Sequence, residues 1–273
     1  MKSKFSALGA VYKGDKAEYL KVALESLQNQ THCASEIILV KDGPVTKEID
    51  DIIASFNDLL PIRVIEIKQN VGLGRALKIG LSKCSNEIIG RFDSDDINRL
   101  DRFELQIKAI NSDSAIDLVA GHISEFRHKK NDINSIRKSV LNLKQLKRTI
   151  IWKNPINHVT VMFKKSSFIK VGGYKNHLFM EDYNLWIRML SLINIKYIGI
   201  DEVLVDVRVG ENSMFKRRRG LLYIKSEFQL FLLKLKYLNT NFIIILSSFL
   251  LRIIPRLMPV FILKIIYFKI LRK

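Results

Sequence analysis

The chain has 273 residues, 48% hydrophobic and 26% charged, a balance that excludes a disordered polypeptide and allows one large core with room for an appendage. Its formal charge is +18, unevenly spread: Lys216 to Lys273 holds 13 Lys and Arg against one acid, Glu227, a net +12 that leaves +6 for the rest. The excess cations share the most apolar part of the chain, which argues against nucleic acid and for an anionic membrane surface.

The N-terminal MKSKFSALGAVYKGDK has an apolar stretch too short for a signal peptide, so export is not expected. FSALGAVY (5–12) reads as a buried strand, and Ala17 to Gln30 as a helix with Tyr19, Leu20, Ala23, Leu24 and Leu27 on one face. EIILVK (36–41) is a second strand, Val45 to Phe56 a helix, PIRVIEIK (61–68) an alternating third strand, and Gly72 to Ser82 a helix. EIIGRF (87–92) is the fourth strand, Asp101 to Ile110 another helix, and Asp117 to Phe126 a fifth strand. Strand and helix in alternation imply right-handed crossovers and a mostly parallel sheet with helices on both faces. Arg127 to Lys153 is basic and poorly patterned, and MEDYNLWIRMLSLI (180–193) is helix-like. Cys33 and Cys84 lie far apart without histidine partners, which argues against a disulfide framework or structural zinc.

Ligands of such sheets bind beyond the carboxyl ends of the strands. There lie Tyr12-Lys13-Gly14, Asp42-Gly43, Gln69 to Gly72 and Asp93-Ser94-Asp95-Asp96. The last stretch admits two readings: turn and cap chemistry, or an Asp-x-Asp pair sharing Mn²⁺ or Mg²⁺ and through it a diphosphate. Asp42 is equally an Asp-Gly turn residue or a ligand contact, and Arg91 equally a site cation or an exposed strand-end charge.

AVYKGDKAEYLKVALESLQNQT (10–31), VKDG (40–43), QNVGLGRALKIGL (69–81) and GRFDSDD (90–96), in this order, resemble the inverting family 2 glycosyltransferases of the GT-A fold. NPINHVTVMFKKSSFIKVGGY (154–174) and MEDYNLWIRML (180–190) are similar to the acceptor half of bacterial O-antigen and capsule transferases in that family. The resemblance covers roughly residues 5 to 215. It implies a Rossmann-like GT-A domain over 1–215, with a nucleotide-sugar half (1–126) and an acceptor half (127–215), then a basic amphipathic helical membrane-association region (216–273).

By position, the resemblance puts Asp42 on the uracil of a UDP-sugar, with Tyr12, Asn70, Gly72, Arg75 and Ser94 around nucleotide and sugar. Arg91 and a divalent metal held by Asp93 and Asp95 would neutralise the departing diphosphate. Of the Glu181-Asp182 pair, Asp182 is the candidate base, its rival role being a favourable charge at a helix start. His158, Trp186 and Asp96 are candidate acceptor contacts; the first two read equally as structural histidine and core tryptophan, and Asp96 as a turn cap. Arg208 and one or more of Arg217, Arg218 and Arg219 would close over the diphosphate, unless that run is solvated or lipid-facing.

Past it, Leu221 to Leu238 reads as an amphipathic helix, and 242–269 is strongly apolar but broken by Arg252, Pro255, Arg256 and Pro259. Monotopic helices in the cytoplasmic interface, with Lys and Arg at the headgroups, fit better than a spanning helix. A packed soluble subdomain and a re-entrant hairpin are the alternatives. The acceptor implied is a lipid-linked saccharide, of the polyprenyl-diphosphate kind, in surface polysaccharide synthesis at the inner membrane. Two rival functions are a sugar nucleotidyltransferase, whose glycine-rich Arg-containing loop YKGDKAEY does not supply, and a non-catalytic basic membrane-binding protein.

Overall fold

In the computed structural model, residues 3–210 and 220–257 are described. Apolar runs of period two become strands and runs of period 3.6 become helices: β1 (Ser6–Val11), α1 (Ala17–Gln28), β2 (Glu36–Asp42), α2 (Lys47–Ser55), β3 (Ile62–Ile67), α3 (Leu73–Lys83) and β4 (Ile88–Arg91). β5 (Ile97–Asn98), α4 (Arg102–Asn111), β6 (Leu118–Phe126), β7 (Ile136–Arg137) and α5 (Leu143–Thr149) follow. A 3₁₀ turn (His158–Thr160), β8 (Met162–Lys164), α6 (Lys165–Lys170), α7 (Glu181–Met189) and β9 (Tyr197–Arg208) complete the sheet region.

The strands form one sheet of order β3-β2-β1-β4-β8-β6-β9-β5, with β7 paired to β6. β3, β2, β1 and β4 run parallel, as does β9 beside β6, while β8 is antiparallel to both neighbours. This is the expected mostly parallel α/β architecture. Two elements lie in the stretch that looked unpatterned, β7 and α5, and β9 is a long strand that the sequence pattern hid. Its middle is partly exposed, so it lacks the continuous apolar run of a buried strand.

Alternation along the strands divides the core between the two faces. Ala7, Ile37 and Leu39 join α1, α2 and α4 on one side, whereas Leu8, Ile38 and Val40 join α3 and α7 on the other. At the crossing of α3 over β1 and β2 a Cβ on Gly80 would fall 2.6 Å from both Leu8 and Val40 side chains, so only glycine allows that approach.

α8 (Leu221–Tyr237) and α9 (Phe242–Leu257) pack as a hairpin against α7. Phe231 lies 4.8 Å from Phe249 between them, and the Lys234 ammonium donates to Ile151 O (2.6 Å) and Ser248 Oγ (3.1 Å). Burial pushes Lys234 down to about 7. Arg252 forks onto the Glu227 carboxylate (2.7 and 2.9 Å), and Arg256 lies 3.8 Å from it. The headgroup role expected of Arg252 and Arg256 is therefore corrected: both turn inward, because Glu227 is 1% exposed and needs their charge. The outward residues are Leu221, Leu222, Leu232, Ile243, Leu250 and Leu251, all exposed. No helix among the described residues is long and apolar enough to cross a membrane.

Replacing Glu227 by Ala strands two guanidinium groups against the core. We expect a loss of about 3–5 kcal/mol in urea unfolding, and a smaller loss when Arg252→Met is added, because the second change removes a charge left without its partner.

Candidate active site

The loops leaving β1 to β4 meet on one edge of the sheet and are tied in two pairs. From the end of β2, the Asp42 carboxylate accepts the amides of Val71 (2.7 Å) and Gly72 (2.9 Å), while Asn70 Nδ2 donates to Asp42 O (3.1 Å). Gly43 sits at φ 85°, and a Cβ there would fall 2.8 Å from the Asn70 amide, so the close approach of these loops requires glycine. Between β1 and β4, Asp15 Oδ2 accepts from Ser94 Oγ (2.8 Å) and the Tyr12 amide (3.1 Å). Asp15 belongs to the site although none of the sequence motifs singles it out; its place three residues past Tyr12 in the β1 turn was the available signal.

The carboxylates after β4 are not equivalent. Asp93 pairs with the Arg91 guanidinium, which also donates to Phe92 O. Asp95 has an exposed side chain, yet surrounding protein first, then Asp93 and Asp15, push its carboxyl up to about 6. Asp96 is buried, accepts the Arg208 amide (2.9 Å), and is raised well above the usual carboxylate range by burial and by Asp93 and Asp95. Its expected place as an acceptor contact is corrected: it fastens β9 to the β4 loop. Arg91 is corrected likewise. It is 0% exposed, so it supplies charge from beneath the loop and has no surface for a diphosphate.

Two further sequence expectations meet the core. Trp186 is 1% exposed and sits edge-on to His158 and Phe168, each at 6.0 Å, so no ring face is left for a sugar. His158 shares a hydrogen bond with Tyr174 Oη (2.8 Å), and burial, then Arg91, hold it well below the usual histidine range; it is neutral. The proximity of His158, Tyr174 and Trp186 is real, but it belongs to packing.

Two cavities open beside these strand-end loops. One, of about 520 Å³, is lined by Tyr12, Asp15, Tyr19, Asp95 and Arg208. The Arg208 guanidinium lies 3.9 Å from the centre of the Tyr19 ring and 4.5 Å from that of Phe126, a cation between two aromatic faces. Arg217, Arg218 and Arg219 lie outside the described residues. A second cavity, of about 440 Å³, is bounded by Gly72, Arg75, Lys175, Phe179, Glu181 and Tyr223.

Glu181 and Asp182 open α7, and Glu181 lines this second cavity. Burial and then the Asp182 charge push Glu181 up to about 7. Asp182 accepts from Asn154 Nδ2 (2.6 Å) and the Tyr183 amide (2.7 Å), with burial raising it against those bonds. Asn154, quoted in the NPINH motif but given no role there, orients this carboxylate. Farther along α7, Arg188 donates to Val171 O and to Gly173 O (2.7 Å), which holds the Gly172-Gly173 turn.

Asp93 and Asp95 offer hard oxygen donors, and Arg91 offsets only part of the charge they share with Asp15. That donor set suits a hard divalent cation completing its shell with water and ligand oxygens. Among the described residues no group of three His, Cys, Asp or Glu is placed to hold a metal alone.

The family described as Glycosyl transferase family 2 matches residues 10–172, from the end of β1 to the turn after α6. The chain belongs to this family. It is 41% identical over 266 residues to the amylovoran biosynthesis glycosyltransferase AmsE of Erwinia amylovora, covering 97% of this chain and 98% of that one. It is 34% identical over 272 residues to an Escherichia coli UDP-Gal:alpha-D-GlcNAc-diphosphoundecaprenol beta-1,3-galactosyltransferase, covering 99% and 97%. The crystal structure of S. aureus TarS 1-349 in complex with UDP-GlcNAc shares the fold, with TM-score 0.69 at 17% identity over 92% of this chain and 72% of that one. Membership selects the glycosyltransferase reading over the nucleotidyltransferase and non-catalytic ones.

In this glycosyltransferase the Asp42 carboxylate is a latch on the β3–α3 turn. Each amide bond to a carboxylate contributes about 1.5–3 kcal/mol. Asp42→Asn, whose amide nitrogen cannot accept, should speed hydrogen exchange at Val71 or Gly72 by at least about tenfold while leaving exchange in the β1 and β4 amides unchanged.

Proposed function

We propose that this glycosyltransferase moves a hexose, glucose, galactose or an N-acetyl derivative, from a UDP-sugar to a lipid-linked saccharide with inversion, in the synthesis of a bacterial surface polysaccharide. The observation that carries the reading is the cavity lined by Glu181, the neighbour of Asp182 at the start of α7, with the β3–α3 turn as one wall. The E. coli relative, named for a UDP-sugar donor and a diphosphoundecaprenol-linked acceptor, supports the substrate classes. Residues 1–126 would hold the donor, 127–215 the acceptor, and 216–273 the membrane.

On this reading the nucleotide lies along Tyr12, Asp42, Asn70, Gly72 and Ser94, with Arg75 at the sugar. Asp93 and Asp95 would hold Mn²⁺ or Mg²⁺, which supplies positive charge to the departing diphosphate. Arg208, already against Tyr19 at the mouth of the other cavity, adds a second cation on that side. Asp182 accepts the proton of the attacking hydroxyl. Asn154 fixes its orientation, burial raises its proton affinity, and its charge in turn raises that of Glu181 beside it.

The apolar outer face of α8 and α9, with the basic composition of 216–273, suits peripheral binding at the cytoplasmic face of the inner membrane. Each lysine or arginine near an anionic leaflet adds about 1 kcal/mol. Arg252 and Arg256, committed to Glu227, are not among them.

Asp182→Asn should keep UDP affinity and lose on the order of 10²–10⁴ in kcat. An unchanged kcat would remove Asp182 as the base. Because Glu181 is raised to about 7, protons accumulate on the pair as pH falls through that value, so kcat/KM should rise with pH through about 7. Glu181→Gln removes the repulsion and should move this limb to lower pH.

For the metal, Asp95→Ala should abolish Mn²⁺ binding in calorimetry together with transfer. Full transfer by the unaltered enzyme in EDTA would end that assignment.

A further inference from the structure

The cavity beside Glu181 has two unlike walls. One is the β3–α3 turn from Gly72 to Arg75, and the other is the 175–179 loop with Tyr223 of α8. A run of hydrogen bonds fixes this second wall. Arg188 Nε donates to Asn184 Oδ1 (2.7 Å), Asn184 Nδ2 to His177 Nδ1 (3.0 Å), and His177 Nε2 to Ser226 O (2.9 Å). Each partner leaves the next only one role, so His177 is neutral with its proton on Nε2, and the VGGY turn, α7 and α8 are linked through it. Ser226 Oγ donates in return to Leu178 O.

What this scaffold presents is unusual for a surface loop. Phe179 is held at φ 66°, a region that residues with a Cβ seldom adopt, and its ring stacks on Tyr223 at 5.3 Å and 18°. Even so, Phe179 stays 43% exposed. Lys175 and Arg75, both exposed, line the same cavity, and neither has an ion-pair partner among the described residues. Immediately before Tyr223, Leu221 and Leu222 are 84% and 65% exposed, so the rim continues onto the apolar face of α8.

We infer that this second wall binds the polyprenyl-diphosphate end of the acceptor: Lys175 takes the diphosphate, the Phe179–Tyr223 stack flanks the attached sugar, and the lipid leaves over Leu221 and Leu222. The inference rests on the reading that the acceptor is a lipid-linked saccharide, and it deepens that reading by naming where the lipid-linked end sits. The order of groups is chemically consistent. A sugar beside Glu181 separates that carboxylate from the diphosphate, the Lys175 ammonium meets the anion, and the apolar chain meets an apolar helix face. The cavity at Asp95 offers no such sequence, since its lining of Tyr12, Asp15, Lys16, Asp95, Arg127 and Arg208 includes no residue of α8 or α9 and so does not lead onto their apolar face.

The test uses the whole chain with nanodiscs of phosphatidylcholine and phosphatidylglycerol, with and without undecaprenyl diphosphate, and a parallel titration with UDP. The unaltered chain should bind the discs containing the lipid diphosphate more tightly than plain discs. Lys175→Gln and Phe179→Ala should each lower that difference roughly tenfold, with binding to plain discs unchanged. Lys175 is exposed, so its exchange leaves folding intact and keeps the test valid if Phe179→Ala folds poorly. No preference for the lipid diphosphate, an equal preference in both variants, or loss of affinity for plain discs alone would each overturn the inference. So would weakened UDP binding in Lys175→Gln with lipid binding kept, because that cation would then serve the donor. Failure of UDP to bind the unaltered chain is a separate result and counts against the donor reading instead.

Discussion

The carboxylates that close β4 stand together because a guanidinium lies beneath them. Asp93, Asp95 and Asp96 fall within four positions, and Asp15 arrives from the neighbouring strand. Burying Arg91 without a counter-charge would cost several kcal/mol, and so would burying Asp96 in a field of its own sign. Each debt offsets part of the other. Burial alone would lower Arg91, yet the Asp93 charge holds it above its ordinary value. The same cation lowers the proton affinity of Asp95, Asp96 and Glu181 and depresses His158. One buried charge therefore acts on the β4 loop and on the start of α7, the two places where the site's carboxylates gather.

A second arginine keeps the first in place. Arg102, also fully buried, donates to Arg91 O (2.6 Å), to Gln106 Oε1 (3.0 Å) and to Asn98 Oδ1. Burial and then Arg91 push it down to about 9. Its bonds to neutral oxygens leave the negative charge of the loop to Arg91, and they tie β4, β5 and α4 into one support. Asp42 does the same service on the other side by binding the amides of Val71 and Gly72. The loops of the site are thus held from below and from the side, with the exposed carboxylate of Asp95 left facing outward.

Local pattern explains what was legible in the chain. The strand–helix alternation follows from periods of 2 and 3.6 that need only neighbouring residues, and the rule about strand ends then collects Tyr12, Asp42, Asn70 and Asp93 on one edge. Side-chain burial depends on partners far away in sequence. Arg91 and Trp186 carry no local sign of enclosure. Asp96 finds the Arg208 amide 112 residues on. Arg252 and Arg256 look like headgroup cations in an apolar stretch until Glu227, on the preceding helix, is seen to claim them. The 127–153 stretch hid β7 and α5 because short elements of two and seven residues show too few turns of any period to be read.

That inward turn of the arginines changes what the hairpin can do. An apolar helix interrupted by two cations is a poor surface for lipid, since each charge near the acyl chains is costly. With both cations bound to Glu227, the outer face from Leu221 to Leu257 presents leucine, isoleucine and phenylalanine while the charges act as internal ties to Tyr183 and Trp152. Tyr183 is the residue after Asp182. A pair of helices held to α7 through buried charge is fixed relative to the carboxylates at its start, and α8 also contributes Tyr223 to the cavity that Glu181 lines. An apolar surface and a cavity that share one helix have a set mutual orientation. On the proposed reading, that orientation would set which hydroxyl of an amphiphilic acceptor reaches Asp182.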